Sequence, residues 1–163
     1  MKKKRGQQTM SMPFGIIFAI FLIVVFVVIA FIAVGYFLDI GRTSGVGMFY
    51  REFQDAVDEA MGGQSSEFDF AIDLPDGVKQ VCIGNLSEPI TNPGPAYEAI
   101  KNYDVYIANT FLVPPEYSES MEWKLIDHID VEKITSEKNP YCVSVEDGFT
   151  IKKGFYGKLV ILE

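Results

Sequence analysis

The stretch Phe14–Leu38, FGIIFAIFLIVVFVVIAFIAVGYFL, holds 25 residues without a charge, and 19 of them are Leu, Ile, Val or Phe. As a helix rising 1.5 Å per residue it would be roughly 37 Å long, more than the roughly 30 Å hydrocarbon core of a bilayer. On an insertion scale its apolar side chains contribute about −6 to −11 kcal/mol with nothing charged to offset them. A core helix of a 163-residue chain would show a polar face over this length, and this stretch has none. It reads as a membrane-spanning helix, and the rest of the chain is read outward from it.

The charges divide sharply around this segment. Lys2, Lys3, Lys4 and Arg5 precede it, with no acid among them. All 22 Asp and Glu residues follow it, against the other 10 Lys and Arg, leaving the part after Leu38 at a formal −12. The excess of positive charge places the N-terminus in the cytoplasm and the acidic part outside the cell membrane. Basic residues beside an anionic inner leaflet add about 1 kcal/mol each to that orientation. An acidic exterior domain lacks the Lys and Arg stripes that phosphate contacts need, so nucleic acid is not an expected partner. The expected partners are the lipid bilayer and other membrane or surface proteins, with self-association as one form.

Whether the helix stays on the protein depends on processing. A secretory signal has an apolar region of about 7–15 residues followed by a small-x-small site. Here the run is longer, and the one such site near its end, Ala33-Val34-Gly35, lies within it. At the front, Lys4-Arg5-Gly6-Gln7-Gln8-Thr9-Met10-Ser11 resembles the processing region of archaeal class III signal peptides, found on type IV pilin-like proteins. In that family a peptidase cuts after a Gly that follows basic residues, and the apolar helix remains on the mature protein. The resemblance implies cleavage between Gly6 and Gln7 and polymerisation through the helix. The sequence departs from the pattern in having Ser11 where an acidic residue is usual, and in an apolar run that starts only after Pro13.

Beyond the span, Asp39–Gly47 (DIGRTSGVG) has three glycines in seven positions, each costing about 1 kcal/mol inside a helix. A linker that breaks the helix is expected there. In MFYREFQDAVDEAMGG, Phe49, Phe53, Ala56, Val57 and Ala60 recur at helical spacing, with Gly62-Gly63 as a stop. This predicts a short amphipathic helix packing on its own domain. After Gln64 the period changes to that of strands. Phe68, Phe70, Ile72 and Leu74 alternate with polar or small residues, and Pro75-Asp76-Gly77 predicts a hairpin onto VKQVCI. Pro95 opens a short helix through Lys101. Strands are predicted over Asp104–Val113, Met121–Ile126, Ile129–Ile134 and the final GKLVILE, with a hairpin turned by Asp147-Gly148. The fold class is therefore mainly β: a single N-terminal transmembrane helix, a short amphipathic helix, and a small antiparallel β-sandwich or barrel-like domain. The divisions are 1–13 cytoplasmic basic tail, 14–38 transmembrane helix, 39–63 juxtamembrane linker and amphipathic helix, and 64–163 extracytoplasmic β domain.

Few residues invite chemistry. Cys82 and Cys142 are the only cysteines, both in predicted strands and both in an oxidising compartment on this topology. They are expected to form a structural disulfide, and no Cys-x-x-Cys pair suggests a redox site. Asn85-Leu86-Ser87 is an Asn-x-Ser sequon in a predicted loop, which permits N-glycosylation if the host has the machinery. His128, the only histidine, is flanked by Asp127 and Asp130 but has too few partner ligands for zinc, so it reads as an exposed polar residue. Asp55, Asp58 and Glu59 lack the spaced oxygen ligands of a calcium loop and read as a solvated helix face. Gly15 and Ala19 make a small-xxx-small pair within the span. The chain offers no nucleophile motif, no glycine-rich phosphate loop and no paired catalytic carboxylates. No catalytic residue, cofactor or metal is assigned. The expected function is a non-enzymatic surface, structural or binding module, pilin-like as one sub-case. An accessory subunit of a larger membrane complex is the alternative.

Overall fold

A computed structural model describes residues 11–163. The candidate processing site Gly6/Gln7 and most of the basic tail lie outside the described residues. The described chain falls into two compact units, one ending at Ile40 and the other spanning Gly41–Glu163.

In the first unit the chain is helical, and its most apolar window has a mean hydropathy of 3.6 with none of it buried. Phe14, Phe31 and Phe37, on different sides of the helix, are all exposed. One helix is thus long and apolar enough to span a membrane. It is part of helix α1, Ser11–Gly62, which continues without the break expected at Asp39–Gly47. Tertiary packing overrides the glycine penalty from Val46 onward. Val46, Phe49, Phe53 and Val57 are 0–1% exposed, and each such burial is worth about 1.5–3 kcal/mol, against about 1 kcal/mol per glycine. Gly45 has its own reason to be glycine, because a Cβ there would come within 2.9 Å of the Pro75 ring.

The second unit adds two antiparallel sheets. One has the order β1 (Ser66–Phe70), β6 (Phe149–Lys153), β7 (Ile161–Leu162). The other has the order β4 (Trp123–Lys124), β3 (Thr110–Val113), β2 (Gln80–Ile83), β5 (Tyr141–Ser144). The part of α1 from Val46 to Ala60 shares one hydrophobic core with both sheets, including Val81, Ile83 and Leu112 from one and Phe149, Ile151 and Leu162 from the other. Phe53 stacks on Phe149 with ring centroids 5.4 Å apart and lies 5.5 Å from Phe70. The stripe read from the sequence is therefore the core face of α1, with Val46 and Tyr50 added to it. More of the described chain is helical than strand, so antiparallel sheet is one component of the fold and does not dominate it.

Both expected hairpins are corrected. The turn at Pro75–Val78 forms, with Val78 N–H donating to Pro75 O, but β1 pairs with β6 and β2 pairs with β3 and β5. Gly148 adopts φ +73°, yet β5 and β6 on either side of that turn belong to different sheets. Four predicted strands are also shorter or of another kind. Of Asp104–Val113 only Thr110–Val113 is strand, and of GKLVILE only Ile161–Leu162. Near Met121–Ile126 only Trp123–Lys124 is strand. Val131–Ile134 is helix α3, capped by Asp130, whose carboxylate accepts from Lys133 N–H. The predicted helix from Pro95 is observed as α2, Pro95–Ile100.

Candidate functional site

Cys82 on β2 and Cys142 on β5 are paired in register and joined by a disulfide. Cys82 is fully buried among Leu86, Ile100, Phe111 and Val113. The bond is a staple inside a packed core, as expected.

Asn85 lies on the loop after β2. Its carbonyl Oδ1 accepts from Ser87 N–H and its Nδ2 donates to Glu88. Asn139 ties this loop down: its Nδ2 donates to the carbonyls of Asn85 and Pro89, and its own carbonyl accepts from Thr91 and Asn92 N–H. Asn85 is half-buried and Ser87 exposed, so the acceptor triplet lies at the surface.

His128 does not engage Asp127 or Asp130. Its Nδ1 lies 2.9 Å from the Asp58 carboxylate on α1, with both side chains about half exposed. Gln54 completes the contact, accepting from Asp127 N–H at 2.9 Å and donating to Asp58 at 3.0 Å. The His128 hydrogen bond holds the Asp58 carboxyl below the usual carboxylate range, with Gln54 adding to the effect and slight burial opposing it. The helix face read as merely solvated therefore carries one clamp. Among the described residues no group of His, Cys, Asp and Glu is arranged to hold a metal ion.

The feature that sequence reading missed is a groove of about 550 Å³ beside α1. Gly47, Tyr50, Arg51, Gln54 and Asp55 supply one wall, at the i, i+3, i+4, i+7 and i+8 positions of one helix flank. The other wall is the turn at Ser120-Met121 and the edge strand β4, with Trp123 and Lys124. Tyr50 fixes the two walls together, its phenol donating to Met121 O at 3.1 Å. Burial, with Glu122 adding to it, pushes the Tyr50 phenol far up, so it stays a protonated donor. Glu119 and Ser120 have φ of +50° and +68°. Two successive non-glycine residues in the left-handed region are costly, and such strain clusters at functional surfaces.

The backbone at this groove is also distinctive. Glu122 and Lys124 carbonyls accept from Leu112 and Asn109 N–H on the β3 side. Ladder alternation then turns the Trp123 N–H and C=O away from β3, toward the free edge of the sheet. The Trp123 ring stacks on Tyr106 at 4.6 Å, which anchors the strand. Two cations, Arg51 and Lys124, are exposed here and form no ion pair among the described residues. In the sequence Arg51 and Gln54 are polar residues beside the apolar stripe, and nothing in their spacing marks a groove.

No family model matches this chain, and neither a curated protein nor a solved structure matches it.

Proposed function

We propose that the chain is a single-pass membrane protein whose acidic domain, on the extracytoplasmic side, is a non-enzymatic surface, structural or binding module. The observation that carries this reading is the apolar half of α1, exposed on every side over a length sufficient to cross a bilayer. An all-apolar surface of that size has no place in water and needs lipid or protein around it. The basic residues before it and the −12 after it support an N-terminus in the cytoplasm. The stapled core and the preformed groove suit a rigid binding domain. Protease treatment of intact cells tests the orientation: the domain after Leu38 is expected to be digested from outside, while its protection would reverse the topology.

The pilin-like sub-case gains support from one observation. Filaments of that family rely on a long helix, and α1 continues through Gly41, Gly45 and Gly47 for 52 residues. A mature N-terminus at Gln7 is the expected mark of this sub-case. An accessory subunit of a larger complex would instead keep its basic tail and copurify with unrelated membrane subunits in mild detergent.

A further inference from the structure

The geometry points to the groove between α1 and β4 as a binding site for an extended peptide segment of a partner protein, one carrying an acidic residue. The inference rests on the reading of the chain as a binding module and names the partner that module takes.

Three observations carry it. First, β4 is the edge of its sheet, and the Trp123 N–H and C=O face the free side. An added strand would satisfy both, the main-chain bonds supplying affinity independent of side chains. Second, charge selects the occupant. Within a domain of formal −12 two cations, Arg51 and Lys124, line this groove beside the acid Asp55, with Glu119 on the rim. Neither cation has an ion pair among the described residues. A carboxylate on the incoming segment would meet both cations. Third, the groove is preformed. Tyr50 pins Met121 across it, the strained Glu119-Ser120 turn forms its rim, and Tyr106 backs Trp123 from the other face. A rigid site spares the ordering cost that weakens flexible ones.

The test uses the full chain in detergent micelles and three blocked heptapeptides, acetyl-Thr-Val-Thr-Xaa-Thr-Val-Thr-amide, with Glu, Gln or Lys at the centre. Binding is read from amide shifts in two-dimensional NMR. The Glu peptide is expected to bind at least about tenfold tighter than the Lys peptide, with the largest shifts at Trp123 and along Arg51–Asp55. The order is expected to reverse in the double variant Arg51→Glu/Lys124→Glu, whose altered residues are exposed and leave the core intact. N-methylation of the central peptide residues is expected to weaken binding about tenfold by removing strand donors. Equal binding of the three peptides, shifts away from the groove, or no binding up to about 1 mM would overturn the proposal. So would shifts at Trp123 that appear on concentrating the chain alone, since a second copy would then be the occupant. Any of these results would leave the membrane anchor untouched, because protease protection and intact mass test it separately.

Discussion

Cys82 and Cys142 stand directly opposite each other on β2 and β5, their Cα atoms 4.0 Å apart and their sulfurs bonded. The two residues are separated by 60 positions in sequence, so the bond closes a long loop, worth roughly 4 kcal/mol in the chain-entropy model. The double variant Cys82→Ser/Cys142→Ser is expected to lose about that much stability in urea unfolding of the solubilised chain. Wild-type protein in reductant should match it. An unchanged midpoint in both cases would mean that the staple adds nothing to the packed core around it.

Gly45 and Gly41 separate two effects of glycine in α1. A Cβ at Gly45 would press on the Pro75 ring, whereas one at Gly41 would meet nothing within 4 Å. Gly45→Val is expected to destabilise by about 1–3 kcal/mol through overpacking. Gly41→Ala should be neutral or stabilising by up to about 1 kcal/mol, because helix is the state it favours. Thermal melts of the pair check this, and equal losses at both positions would contradict a continuous helix through Gly41.

Asn109 is buried and bonds both backbone groups of Ile126, accepting from its N–H and donating to its C=O, each at 2.8 Å. The side chain stands in for a missing strand partner. Asn109→Ala would leave a buried donor and a buried acceptor without partners, at about 1–3 kcal/mol each before relaxation. Hydrogen exchange at the Ile126 amide is expected to accelerate accordingly. Unchanged protection there would show that the bond is dispensable.

The Asp58–His128 clamp fixes the sign of a pH effect. The Asp58 pKa is lower in the folded chain than in an ordinary carboxylate, chiefly through the His128 hydrogen bond. Its contribution is therefore complete above the ordinary carboxylate range, near about 4, and is lost as pH falls through the lowered value. Both groups are half exposed, so solvent screening keeps the contribution small. Carbon-detected NMR titration should find Asp58 titrating lower in wild type than in His128→Ala. Identical curves would mean the contact is not kept in solution.

The sequence made the apolar helix legible because length and lack of charge are properties of the residues themselves. The core stripe Phe49, Phe53, Val57 and Ala60 was legible for a similar reason, since helical spacing puts these positions on one face. The disulfide followed from a count of two. Strand pairing was not legible. Pro75-Asp76-Gly77 and Asp147-Gly148 are local turn signals, and they turn the chain as expected. A turn does not specify whether the next strand joins the same sheet, and both of these lead into another one. Ile129–Ile134 carries no clear period in the sequence and reads as strand, but Asp130 caps the helix Val131–Ile134 there. The groove was hidden because its walls lie some 70 positions apart in sequence, meeting where Tyr50 reaches Met121.

The most direct test of the central claim is the intact mass of the protein recovered from its native membrane. The expected mass begins at Met1 or at Gln7, either of which retains the apolar helix from Phe14 to Leu38. A start at Gln7 would add the processing step of a pilin-like subunit. A mass beginning at Tyr36 would mean that the helix is removed, and the domain would then be an exported soluble protein with no anchor.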